Sequence, residues 1–224
     1  GEKWLLAAPT GRAAKRMTES TKHPAQTIHR LLKFNGKGFS HDSENQLRTD
    51  CLLIDEASML DIWLMDSIIA ALHPSTRLIL VGDSDQLPSV GPGQVLIDLI
   101  RSKKIPVTRL SEVYRQAQDS NIIRNAHRIN QGNVPHSMEK DSSAGILRDF
   151  FILDRENNQQ TISSLLEIAG KRLPSLGFNP LEDIQILTPM HNGELGTHSL
   201  NQRLQELLNP IGRALEYNEK KFRV

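Results

Sequence analysis

The chain has 224 residues, room for one large domain or two modest ones. Hydrophobic residues make up 38% and charged residues 24%, which excludes a generally disordered chain and leaves enough apolar material for a core. A formal net charge of +1 excludes a globally basic polyanion binder, so any nucleic-acid contact has to use a local patch. The eight histidines are scattered without ligand spacing, and Cys51, the sole cysteine, sits in an apolar run that reads as core. No apolar run approaches the roughly 18 residues needed to cross a bilayer, and Gly1-Glu2-Lys3 lacks a signal-peptide layout, so a cytoplasmic protein without a membrane partner is expected.

In chain order, Trp4 to Ala8 reads as a buried strand that turns at Pro9-Thr10-Gly11 into a helix from about Arg12 to Glu19. A short helix fits Thr27 to Lys33, and Asn35 to Thr49 reads as a polar loop or hairpin. Cys51 to Ile54 is a second buried strand, followed by a helix from Met59 to Leu72. Leu78 to Val81 is a third buried strand, and Gly93 to Lys103 a helix. Val107 to Leu110 reads as a short strand, and Ser120 to Gln131 as a helix. Further on, Ile146 to Leu153 and Ile184 to Leu187 read as strands, with helices at Thr161 to Leu173 and Leu195 to Leu208.

Short apolar strands alternating with helices predict an α/β fold with a parallel sheet covered on both faces. In such sheets ligands lie outside the C-terminal strand ends, which here carry Pro9-Thr10, Asp55-Glu56 and Gly82-Asp83. Polar residues gathered at one edge of an apolar sheet point to an active site. A second α/β unit is expected to begin near residues 105–118.

The segment Leu52 to Ser58 is an apolar strand closed by two carboxylates, the Walker B pattern. Asp55 can hold Mg²⁺, an ion that prefers oxygen ligands and keeps several waters. Glu56 can orient and deprotonate an attacking water. The other reading of the pair is a solvated acidic turn. One strand later, Gln86 can reach toward a γ-phosphate or that water, because an amide donates and accepts at once; a plain Gly/Asp/Pro turn is the alternative. Thr10, beside Pro9, and Thr27 cap helix starts, with Arg12, His29 and Arg30 adding positive charge. Each is equally readable as an ordinary capped helix. Arg115, in Glu112-Val113-Tyr114-Arg115-Gln116, can serve as an arginine finger or merely begin a surface helix.

These segments, in this order, resemble the superfamily 1 helicases and in particular the RecD family. The resemblance rests on Ala8-Pro9-Thr10-Gly11-Arg12-Ala13-Ala14, Thr27-Ile28-His29-Arg30-Leu31-Leu32, Ile54-Asp55-Glu56-Ala57-Ser58-Met59, Val81-Gly82-Asp83 with Asp85-Gln86-Leu87-Pro88, and Tyr114-Arg115-Gln116. It extends through Asn125 to Asn130, Leu187-Thr188-Pro189-Met190 and Leu200-Asn201.

The resemblance implies a RecA-like P-loop NTPase helicase fold, with a first motor domain over 1–110 and part of a second over 111–224. It implies an ATP- and Mg²⁺-dependent 5′-to-3′ DNA helicase acting at double-strand ends in repair and recombination, as the exodeoxyribonuclease V alpha subunit does. Asp55, Glu56, Gln86 and Arg115 would serve the nucleotide, and Pro9, Thr10, Arg12, Thr27 and His29 single-stranded DNA. RecB- and RecC-like partner subunits are implied, while stand-alone RecD-like, Pif1-like and conjugative relaxase-type helicases are alternatives, as is a non-catalytic DNA-binding or docking fragment. No G-x-x-x-x-G-K-S/T phosphate loop occurs in the chain. In the family that loop precedes the Trp4 strand by one helix, and motifs V and VI follow a small inserted domain beginning near Lys221 to Val224. The chain by itself is therefore expected to be inactive.

Overall fold

Residues 1–110, 120–137, 149–212, 214–217 and 220–223 are described here, from a computed structural model. The chain divides into two compact units, Gly1–Gln118 with Asn130–Gly132, and Asp119–Ile129 with Asn133–Val224.

The first unit is built on a four-stranded sheet, β1 (Trp4–Ala8), β2 (Ala25–Thr27), β3 (Cys51–Ile54) and β4 (Arg77–Leu80). The strand order is β2-β1-β3-β4 and every pairing is parallel, with Ala8 opposite Thr27, Ala7 opposite Ile54, and Ile54 opposite Leu80. All four C-terminal strand ends therefore fall along one edge. The expected α/β fold, a parallel sheet flanked by helices as in RecA-like domains, is borne out.

The alternation of side chains along β1 divides the core between two faces. Ala8 packs with Ala13 and Ala14 of α1 (Gly11–Thr21). Ala7 belongs to the larger cluster, with Ile28 and Leu31 of α2 (Ile28–Leu31), Leu52 and Ile54 of β3, Ile68 of α3 (Ile62–Ala70) and Leu96 of α4 (Val95–Ser102). Small alanines on β1 let helices approach both faces closely. Cys51 is fully buried, and burial pushes its thiol up from the ordinary value, as fits a core thiol.

Several expectations need correction. The helix expected from Met59 begins at Ile62, because Asp61 caps it by accepting a hydrogen bond from Leu64 N (2.7 Å); Ala57–Met59 form a separate 3-10 turn. β4 is not fully buried: among the described residues it is the last strand of its sheet, and Ile79 and the following Val81 are exposed. Val107 to Leu110 form no strand, since no neighbour supplies a ladder there among the described residues.

The second unit is mainly helical among the described residues. It holds α5 (Asn121–Asn130), α6 (Asn158–Glu167), α7 (Thr197–Leu208) and an antiparallel hairpin of β5 (Ala214–Tyr217) and β6 (Lys220–Arg223). A π-helical segment, Ile168–Arg172, extends α6. The strand expected at Ile184 to Leu187 is absent, and residues 149–153, the described part of the one expected at Ile146 to Leu153, are not in a strand either. An apolar run forms a strand only where a second strand can satisfy its backbone.

α5 is secured by side chains rather than by sheet. Asn125, buried, donates through Nδ2 to the His136 carbonyl (2.9 Å) and accepts from His136 N (2.9 Å). Asp149 accepts from Asn121 N (2.9 Å) and from the Ser120 hydroxyl at the start of the helix.

Candidate nucleotide and DNA site

The carboxylate pair stands where β3 ends. Asp55 N donates to Ala7 O (3.0 Å), tying this residue to the end of β1. Its Oδ1 accepts from Glu56 N (2.8 Å), leaving Oδ2 for other donors or a cation. Glu56 has φ 54° and ψ 38°, a left-handed conformation uncommon for a side chain of this size. That kink turns the chain sharply out of the strand and into the 3-10 turn, so the two adjacent carboxylates leave the sheet edge in different backbone geometries.

The end of β4 is stitched to the same turn. Val81 N donates to Ile54 O (2.8 Å), and Ala57 N donates to Val81 O (2.8 Å). Gly82 follows, pressed against the turn. A Cβ there would meet Leu96 Cδ2 at 2.9 Å and the Ala57 and Ser58 amide nitrogens at 3.0 Å each. Only glycine allows this approach, and it holds the Gly82-to-Pro88 loop beside the acidic pair.

Gln86 N donates to Asp83 O (3.3 Å), and the Asp83 carboxylate accepts from Asp85 N (2.9 Å), so the loop carries its own turn. Its far end is fixed by Ile62 N donating to Pro92 O (2.8 Å) and by the Ser89 hydroxyl donating to Gly91 O (3.1 Å) and Gly93 O (2.8 Å). Ser58 and Gln86 line one small cavity of about 10 Å³, together with Ser84, Pro88, Gln94 and Leu96. Ser58 Oγ is buried without a hydrogen-bond partner among the described residues. Sequence reasoning passed over Ser58 because nothing in its type distinguishes a buried hydroxyl from a surface one.

Asp55 and Glu56 are both part-buried, and Gln86 is exposed. Among the described residues no group of three or more His, Cys, Asp or Glu side chains is placed to cage a metal ion. A single carboxylate with an open oxygen still fits Mg²⁺, which is commonly held by one or two protein carboxylates, waters and the substrate's phosphates. Bound there, the ion would neutralise charge on the phosphates, and Asp55 is the residue that would hold it.

On the β2/β1 side the capping threonines stand at adjacent strand ends. Thr10 caps α1, its Oγ1 accepting from Ala13 N (3.2 Å), and Thr27 caps α2, its Oγ1 accepting from Arg30 N (3.3 Å). Each hydroxyl is used as an acceptor, so its proton can still be donated to a phosphate oxygen. Pro9 leads into the Thr10 cap, and Arg12 and His29 are exposed in the first turns of their helices. The sheet order thus lays Thr27, Pro9-Thr10, Asp55-Glu56 and the Gln86 loop along one edge. Arg115 lies outside the described residues.

A shallow depression of about 660 Å³ in the second unit, lined by Asp154 to Asn157 and the start of α6, contains none of the residues singled out above. No helix among the described residues is long and apolar enough to cross a membrane.

Residues 1–150 match the AAA domain family, about two thirds of the chain, and the chain belongs to that family. Within that class its relatives bear out the RecD resemblance. It is 37% identical to an ATP-dependent RecD2 DNA helicase of Deinococcus radiodurans over 208 residues, covering 92% of this chain and 26% of the relative. It is 32% identical to the RecBCD enzyme subunit RecD of Haemophilus influenzae, covering 80% of this chain and 32% of that one. Among solved structures it is similar to a Bacteroides Pif1 bound to ssDNA, at 21% identity and a TM-score of 0.37 over 60% of this chain and 38% of that one. The chain therefore spans about a quarter to a third of the length of these two curated relatives.

Proposed function

We propose that this chain is the central part of an ATP-driven, 5′-to-3′ DNA helicase of the RecD type, working at DNA ends in double-strand break repair and recombination. Residues 1–110 form the first RecA-like motor domain in this reading, and 111–224 part of the second. The observation that carries it is the stitching of β3 to β4 through Val81, which puts Asp55-Glu56 and the Gln86 loop at neighbouring strand ends.

Asp55 holds Mg²⁺ with the nucleotide's phosphates, and Glu56 accepts the proton of the attacking water. Gln86 senses the γ-phosphate or that water. Arg115 reaches the γ-phosphate when ATP is bound and releases it after hydrolysis; such differential contact is what lets a nucleotide shift a conformational equilibrium. Pro9, Thr10, Arg12, Thr27 and His29 receive single-stranded DNA, mostly through its phosphates. The relatives' name, RecBCD enzyme subunit RecD, favours assembly with RecB- and RecC-like subunits.

Glu56→Gln in the whole protein tests this reading. Nucleotide should still bind, and hydrolysis should fall roughly 10²- to 10⁴-fold, the scale for removing a positioned general base. Asp55→Asn should instead weaken Mg²⁺-nucleotide binding. Wild-type turnover by Glu56→Gln sinks the assignment.

A further inference from the structure

Three rings meet just beyond α2. His29 and Phe34 are edge-to-face with centroids 5.5 Å apart, Phe34 and Phe39 are 5.2 Å apart, and His29 and Phe39 5.6 Å apart. The backbone fixes the group. Phe34 N donates to His29 O (2.8 Å), and Phe34 bridges Phe39 in antiparallel fashion. Asn35 closes the turn between them: its N–H donates to Gly38 O (3.0 Å), and its side-chain oxygen accepts from the Lys37 and Gly38 amides at 3.0 Å each. Phe39 leans on the main core, whereas Phe34 leaves half of its surface in water.

The charge around the rings is one-sided. From Lys22 to His41 the sequence has no Asp or Glu, yet it carries Lys22, Arg30, Lys33 and Lys37 with three histidines, in a chain whose net charge is only +1. Among the described residues none of these four cations forms an ion pair. A held, half-exposed phenyl ring amid unpaired cations offers what an unstacked base and its phosphate need together: a π-face and positive charge.

We propose that His29, Phe34 and Phe39 form a base-stacking platform for single-stranded nucleic acid, with Phe34 the ring that meets the base and Lys33 and Lys37 the flanking phosphate contacts. This rests on the reading that single-stranded DNA runs over the first unit. It adds a base contact to a surface otherwise assigned mostly phosphate contacts. The platform is sequence-tolerant, since every base has a π-face.

The test compares Phe34→Ala, Phe34→Trp and wild type in the full 224-residue chain, without nucleotide. The probes are a labelled homothymidine strand, an abasic phosphate strand of equal length, and a blunt duplex, read by anisotropy across a salt series. Phe34→Ala should bind the homothymidine strand roughly 5- to 100-fold more weakly, the scale of losing one stacked base. Its abasic affinity should be nearly unchanged even though loss of a half-buried ring lowers the melting temperature by a few degrees, and Phe34→Trp should restore binding. Lys33→Gln with Lys37→Gln should flatten the salt dependence for both strands. Equal losses on the base-bearing and abasic strands, or none on either, overturn the platform but leave DNA binding standing. A loss confined to the duplex overturns it in favour of a different ligand. If wild type binds neither strand, the DNA reading fails together with the platform.

Discussion

Gly82 sits against the amide nitrogens of Ala57 and Ser58, so the loop after β4 and the turn after β3 share one close contact that no side chain could enter. Gly82→Ala should force these loops apart, at about 1–3 kcal/mol in stability, as overpacking does. Gly11, where an added Cβ meets nothing within 4 Å, is the control: Gly11→Ala should be neutral or slightly stabilising. Paired urea melts decide it, and an unchanged midpoint for Gly82→Ala would mean the two loops are not in fact pressed together.

The 224-residue chain alone should not turn over ATP, because it contains no phosphate loop to supply the amide cradle, the lysine and the hydroxyl on Mg²⁺. Phosphate release measured with Mg²⁺ and excess single-stranded DNA is the check. Robust turnover that disappears in Glu56→Gln would contradict this.

Thr10 joins a structural task to a proposed functional one. Thr10→Ala should cost about 0.5–2 kcal/mol through loss of the α1 cap, whereas Thr10→Ser, which keeps the oxygen, should melt nearly as wild type. Arg12→Ala should instead weaken DNA binding equally for unrelated sequences and reduce the salt slope by about 1. A sequence-selective loss argues against phosphate contact.

Asp149 carries a pH signature. The Ser120 hydroxyl is the main cause holding its carboxyl below the ordinary range, helped by the Asn121 amide. The folded state therefore favours the carboxylate, so the contribution is present above the ordinary carboxylate range and is lost as pH falls through the lowered folded value. Asp149→Asn should be less stable than wild type near pH 6, and the two should converge in acid. Denaturant midpoints across that span measure it; a constant gap would assign the effect to shape rather than charge.

Asn125 makes two hydrogen bonds to one backbone residue, His136. His136 is exposed, so water can take over its two groups, and Asn125→Ala should cost about 0.5–1.5 kcal/mol for each hydrogen bond lost. Asn125→Asp can still accept from His136 N but cannot donate to His136 O, so it should fall between. If Asp and Ala variants melt alike, the donated bond is the one that matters.

Much of the first unit was legible because its strands are apolar runs ended by turn residues. Trp4 to Ala8, Cys51 to Ile54 and Leu78 to Leu80 fall within strands, and the acidic pair follows the strand end expected of it. β2 was not legible: Ala25-Gln26-Thr27 has no apolar pattern and exists as a strand through its ladder to β1. The left-handed backbone of Glu56 was also hidden, because it arises from the stitching of Ala57 to Val81 rather than from local preference. In the second unit, apolar patterning at Ile184 to Leu187 lacked the neighbouring strand that would have made it a sheet. The aromatic trio spans only eleven residues, His29 to Phe39, yet it needed the Asn35 turn before the rings could be seen to meet.

Among the described residues β4 is an edge strand of its sheet, with Ile79 and Val81 exposed beside a row of unpaired backbone groups that can template a passing strand. Arg77, exposed and paired with Glu2 at 2.6 Å, guards only the beginning of that edge. The isolated chain should therefore behave as a sticky colloid. Light scattering should climb with concentration and time, and a lysine placed at Ile79 should slow that growth more than the same charge at exposed Ile69 on α3, where no row of open amides waits to be matched.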